Sequence, residues 1–98
     1  MNKIDATSYN SFINSSGTCV VMMGASWCLP CRSAKPKVEI MSDKTGVSTA
    51  YLDVDDAQNL AQSLKVMGVP TFIKFENGKE VTRLVGANDD GLKVLFGI

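Results

Sequence analysis

Val20-Val21-Met22-Met23-Gly24-Ala25-Ser26-Trp27-Cys28-Leu29-Pro30-Cys31 is the stretch on which the fold turns. Its first half is a run of hydrophobic and small residues and predicts a buried strand. Its second half carries two thiols three positions apart. On one face of a helix such residues have Cβ atoms roughly 5–6 Å apart. A disulfide requires ~3.5–4.5 Å, a small adjustment in a first helical turn, so Cys28 and Cys31 can open and close a bond with little backbone movement. The thiols stand where a strand ends and a helix begins, which is where an open α/β sheet usually carries its chemistry.

Working outward, the strand spans Thr18 to Met23, Gly24 to Trp27 is a connection, and the helix runs from about Leu29 to Lys44. Cys31, Ala34, Val38 and Met41 share one side of that helix; Arg32, Lys35, Glu39 and Asp43 take the other and read as a solvated face. Pro36 lies inside it and predicts a kink, because it has no amide to donate. Upstream, Thr7 is the expected cap of a short helix with Tyr9, Phe12 and Ile13 on its apolar face. Only about Lys3 to Asp5 remain for a strand before it. Downstream, Val47 to Val54 reads as a strand. Asp55 is the expected cap of a helix carrying Ala57, Leu60, Ala61 and Leu64 at helical spacing. Thr71 to Phe75 and Glu80 to Val85 form a hairpin across Asn77-Gly78, a dipeptide that accepts positive φ at both central positions. A last short helix buries Leu92, Leu95 and Phe96. Strands linked through helices are parallel with right-handed crossovers, and the hairpin adds an antiparallel strand. The fold class is therefore α/β: a mixed central sheet with helices on both faces.

At 98 residues the chain has room for one core, so residues 1–98 are expected to form a single domain. Ten basic and ten acidic residues balance to zero, and the basic ones are dispersed, which argues against nucleic acid as a partner. No run approaches the ~18 apolar residues of a membrane span. The N-terminus is polar, without the apolar core of a signal peptide, so the expected location is the cytosol. Three cysteines and no histidine fall short of the four ligands of a structural zinc site or a cubane cluster, so no metal is expected. The odd count also argues against a disulfide-stapled extracellular scaffold. A redox pair plus one spare thiol fits best, with Cys19 a small core residue. Met22, Met23, Met41 and Met67 read as core filling.

Trp27-Cys28-Leu29-Pro30-Cys31, Pro36, Gly68-Val69-Pro70-Thr71, Asn77-Gly78 and Val85-Gly86-Ala87 occur in an order and spacing that resemble a thioredoxin, from about Tyr9 to Phe96. The resemblance implies a thioredoxin fold and thiol–disulfide exchange on protein substrates through the Cys28/Cys31 pair, with no added cofactor. It makes Cys28 the attacking thiol, exposed at a helix N-terminus where the dipole lowers its pKa. Cys31 becomes the resolving thiol that releases the reduced client. Trp27 forms a groove wall, and Pro30 removes one backbone donor near the sulfurs. Pro70 is cis and faces the disulfide, Val69 offers its backbone to an extended peptide, and Gly86 and Ala87 leave room for that peptide's main chain. The implied partners are disulfide-containing proteins and a flavin-dependent thioredoxin reductase, met by a monomer.

Two departures from the family pattern stand out. Met22 occupies the place of a buried Asp that helps deprotonate the resolving thiol, and Tyr51 that of its companion Lys. Asp53, on the same strand face as Tyr51, is the candidate for that proton transfer, through water. Slower resolution at neutral pH is expected. Leu29 replaces a common Gly and should reshape partner choice. Three other readings stay open at the level of sequence: a glutathione-dependent, glutaredoxin-like carrier, a non-catalytic subunit of a larger assembly, and a cluster bridged between two chains.

Overall fold

The computed structural model describes residues 1–15 and 17–98. Its elements are β1 (Asn2–Ile4), α1 (Tyr9–Ser15), β2 (Thr18–Gly24), α2 (Leu29–Thr45), β3 (Ser48–Asp53), α3 (Gln58–Ser63), β4 (Thr71–Glu76), β5 (Lys79–Val85) and α4 (Asp89–Phe96). They build one five-stranded sheet in the order β1-β3-β2-β4-β5. β1 and β2 each run parallel to β3, while β4 is antiparallel to both β2 and β5. The central place of β2 explains its composition, because a strand flanked on both sides and covered on both faces reads as continuous apolar sequence.

Alternation along the strands divides the interior into two layers. Cys19, Val21 and Met23 of β2 join Leu52, Ile73 and Phe75 under α1 and α3. Val20 and Met22 join Tyr51 and Phe72 under α2 and α4, and this second layer also holds Cys28, Cys31, Ala34 and Val38. The redox pair therefore belongs to the α2/α4 side of the sheet, and Cys19 to the opposite side.

Local signals explain most boundaries. Asn77 (φ 53°) and Gly78 (φ 81°) turn the β4–β5 hairpin, and Gly46 (φ 74°) ends α2 in a left-handed cap. Asn88 caps α4 by accepting from the Gly91 amide at 2.7 Å. Helix α2 continues unbroken through Pro36, which lies on its exposed side.

Four expectations need correction. The Asp5 carboxylate, not Thr7, gathers the chain before α1, accepting from the amides of Thr7 and Ser8 and the Thr7 hydroxyl. A carboxylate with two free acceptor atoms outcompetes a single hydroxyl at a helix start. That turn also ends the first strand at Ile4. Asp55 does not cap α3: the cap residue is Ala57, with no side-chain hydrogen bond, and the Asp55 carboxylate is used elsewhere. Met67 is 96% exposed, because it follows the end of α3 in a connecting segment where helical spacing no longer directs side chains inward. Lys35 is half-buried, its ammonium 3.7 Å from the centre of the Tyr51 ring, so its methylene stem covers apolar surface instead of standing in solvent.

Candidate functional site: the Cys28–Cys31 pair

Cys28 is the N-cap residue of α2, with φ −88° and ψ 108°, and Leu29 and Pro30 form the first helical turn. Proline is well tolerated there because the amide it lacks has no partner in a first turn. Cys28 and Cys31 are joined as a disulfide with their Cα atoms 5.3 Å apart. The Cys31 amide donates to Cys28 Sγ at 3.2 Å, so the cap position normally filled by an oxygen is filled by sulfur. The same amide, with the helix dipole behind it, stabilises negative charge on that sulfur once the bond is opened.

Cys28 is not exposed, as the resemblance had implied, but 4% accessible, and Cys31 is 1% accessible. The cap geometry accounts for this, since it folds the Cys28 side chain back over the first turn. Around the pair the surface is apolar and open. Trp27, Leu29 and Val85 are about two-thirds exposed and Met67 almost wholly so. Trp27 and Val69 share a cavity of about 160 Å³ with Val54, Val66, Met67 and Gly68. Val69–Pro70 is a cis peptide, and Gly86, at φ 89°, donates its amide to the Pro70 carbonyl at 2.8 Å. Val69 and Ala87 both pack on the layer that contains the two cysteines. Trp27 and Val69 thus share a cavity, Val69 and Ala87 lie on the cysteines' layer, Gly86 is tied to Pro70, and Leu29 and Pro30 form the helical turn between the two sulfurs. Met67 reads from the sequence as core filling, and Val85 as part of the Val85-Gly86-Ala87 motif with no role of its own. Only their exposure beside the groove reveals them.

Two polar contacts brace the loop ahead of Cys28. Trp27 Nε1 donates to Asp55 Oδ2 at 2.8 Å, and Arg32 Nη2 donates to the Ser26 carbonyl at 2.8 Å. The first spans the β2–α2 and β3–α3 connections and explains why Asp55 is not a helix cap.

Behind Cys31 the sheet contributes Gly24, Tyr51 and Asp53. Met22 lies opposite Tyr51 and Gly24 opposite Asp53 in the parallel register of β2 and β3. Tyr51 and Asp53 line a cavity of about 280 Å³ with Met1, Lys3, Ser26, Lys35 and Glu39. Burial first, and then the carboxylates of Asp53, Asp55 and Asp56, push the Tyr51 phenol above its usual range, so it keeps its proton at neutral pH. Asp53 is 8% exposed and accepts from the Asp55 amide at 2.9 Å. It shares the cavity with Tyr51, as the strand period predicts, and has no hydrogen bond to either cysteine.

A helix-capping dithiol/disulfide at the end of the central strand of a mixed sheet defines a class, the thioredoxin-fold proteins that exchange disulfides. The family model for Thioredoxin matches residues 1–95. Thioredoxin-2 of Saccharomyces cerevisiae is 39% identical over 90 residues, covering 90% of this chain and 86% of its own length. Thioredoxin H2 of Arabidopsis thaliana is 38% identical over 86 residues; this chain spans 87% of itself but only 65% of that longer protein. The X-ray structure of Fasciola hepatica thioredoxin superposes with a TM-score of 0.91 at 36% identity, over 99% of this chain and 97% of that one. The chain belongs to the thioredoxin family. It is a thiol–disulfide oxidoreductase, and the redox-active disulfide takes the place of a cofactor. The glutaredoxin-like and scaffold readings are not favoured.

Proposed function

We propose that residues 1–98 act as one monomeric unit that reduces protein disulfides, with Cys28 as the attacking thiolate and Cys31 as the resolving thiol. The observation that carries this assignment is the Cys31 amide aimed at Cys28 Sγ from the first turn of α2. It stabilises the anion of Cys28 and offers nothing equivalent to Cys31. In the reaction, the Cys28 thiolate attacks a client disulfide, forming a mixed disulfide and expelling one client thiolate. Cys31 then loses its proton and attacks Cys28, closing the internal disulfide and releasing the second client thiolate. Two electrons pass from the dithiol to the client.

Trp27, Leu29, Pro30, Val69, Pro70, Gly86 and Ala87 form the client groove. The client is an extended peptide that crosses the cis Val69–Pro70 segment, and Leu29 and Met67 supply apolar contacts beside it. A flavin-dependent thioredoxin reductase returns the pair to the dithiol. The cytosol is the setting, since such systems keep dithiols reduced there. Among the described residues no helix is long and apolar enough to cross a membrane.

The test is insulin-type disulfide reduction driven by NADPH and a thioredoxin reductase. The parent chain turns over, Cys28→Ser abolishes turnover, and Cys31→Ser accumulates the mixed disulfide. Turnover with glutathione and glutathione reductase, but none with thioredoxin reductase, would overturn the reading.

A further inference from the structure

Cys31 must shed a proton during resolution, yet it is 1% exposed and Met22, behind it on β2, offers no base. The Tyr51 hydroxyl lies close by. A methyl group placed on Gly24 would come to 3.0 Å from the Tyr51 hydroxyl and 3.2 Å from Cys31 Sγ. Hydroxyl and sulfur therefore both lie close to one point beside Gly24, a separation that a single water spans. Tyr51 also lines the cavity that contains Asp53, so it stands between the buried sulfur and a polar, open space on the side of the sheet edge.

We propose that the Tyr51 hydroxyl stabilises the nascent Cys31 thiolate and relays its proton to the cavity beside Asp53, in place of an acid at position 22. This rests on the reading of Cys31 as the resolving thiol. In the step, the Cys31 S–H proton passes to the phenol oxygen as the phenol's own proton passes to cavity water and Asp53. The sulfur, now anionic, attacks Cys28, the mixed disulfide breaks, and the client sulfur leaves as a thiolate that takes a proton from solvent. Tyr51 is restored and no further oxidant or reductant is needed.

The charges around the phenol suit a neutral relay. Lys35 and Glu39 face it from α2, Lys3 from β1, the Met1 amino group from the residue before β1, Asp53 from β3, and Asp55 and Asp56 from the turn that follows; β2 presents the uncharged Met22. The Lys35 ammonium over the ring and the carboxylates beside it oppose each other, while burial keeps the proton on oxygen. Gly24 is required because any side chain there would fill the space between hydroxyl and sulfur.

The experiment compares the full chain with Tyr51→Phe in the coupled insulin assay across pH 6 to 9.5. The variant is expected to be roughly tenfold slower near neutral pH, the equivalent of one unit in the Cys31 thiol pKa. The difference should vanish at the alkaline end, where Cys31 ionises unaided. In a Cys19→Ala/Cys28→Ser background, the Cys31 Cβ chemical shift should titrate about one unit higher with Phe at position 51. Cys28 alkylation in the otherwise unaltered chain should not change. Should the Phe variant fail to fold, 3-fluorotyrosine incorporated into a Tyr9→Phe chain keeps ring and hydroxyl but makes the proton more acidic. The rise of rate with pH should then begin lower. Superimposable pH profiles and equal Cys31 titrations overturn the proposal while leaving the disulfide cycle intact. A Cys31→Ser chain that turns over at the parent rate overturns the cycle itself.

Discussion

Trp27 Nε1 and Asp55 Oδ2 are 2.8 Å apart and join the connection before the redox helix to the connection after β3. The indole is otherwise two-thirds exposed, so this bond is what orients its face beside Cys28. Asp55→Ala should lower stability by about 1 kcal/mol, the ordinary net worth of such a bond. It should also raise KM for a disulfide client more than it lowers kcat, because the groove wall is loosened and not the sulfurs. Trp27 is the only tryptophan, so its fluorescence reports the change directly. An unaltered emission spectrum with unaltered KM would count against this role.

Gly24 ends β2 where three groups converge. A Cβ there would lie 2.8 Å from Tyr51 Cε1 and 3.2 Å from Cys31 Sγ, and Gly24 also accepts the Val54 amide at 2.9 Å, so the backbone cannot simply withdraw. Gly24→Ala is expected to cost about 1–3 kcal/mol, the range for overpacking a well-filled interior. Urea denaturation monitored by Trp27 fluorescence measures this. A midpoint equal to that of the parent would show that Tyr51 can move aside.

These two sites also mark how far the sequence can be read. The sheet was legible because β2 is a run of hydrophobic and small residues, helical segments separate the strands that follow it, and Asn77-Gly78 favours a tight hairpin. The redox pair was legible because two thiols at helical spacing after a strand have few other uses. What escaped were contacts that depend on where a side chain ends after packing. The Asp55 carboxylate reads as a helix cap until the Trp27 indole is placed beside it. Lys35 reads as solvated until Tyr51 is placed beneath its ammonium. Met67 falls near the helical pattern of α3, but the helix has ended before it. The closeness of Tyr51 to Cys31 arises from the missing side chain of Gly24, and an absence of atoms leaves no periodic signal.

The turn before α1 should make folding sensitive to acid. Hydrogen bonds from the Thr7 hydroxyl, the Ser8 amide and hydroxyl, and the Thr7 amide lower the Asp5 carboxyl to about 2. Its folded value lies below its unfolded value, so the stabilisation is present above the unfolded carboxyl range near pH 4. It is lost as pH falls toward 2. Asp5→Ala should therefore be less stable than the parent at pH 6, with the two denaturation midpoints converging by about pH 2. Because the group is fully exposed, the gap should also narrow in high salt. Parallel curves at every pH would show that the carboxylate charge is not what holds the turn.

The alkaline limb has the opposite sign and a different origin. Burial, followed by the nearby Asp53, Asp55 and Asp56 carboxylates, raises the Tyr51 phenol above its ordinary value of 10.0, and burial does the same to Tyr9. A phenol whose folded pKa is raised favours folding at every pH below its unfolded pKa. That contribution is lost as pH climbs through the raised folded value. Stability should hold to about pH 10 and then fall, because ionising either ring in place would bury a charge that the protein does not solvate. Tyr51→Phe removes one of the two titrations. Its denaturation midpoint should decline less steeply above pH 10 than that of the parent, and combining it with Tyr9→Phe should flatten the limb further. Thermal unfolding followed by circular dichroism from pH 8 to 11.5 measures the slopes. Equal slopes for the parent and both variants would mean that the alkaline loss comes from groups other than these two phenols.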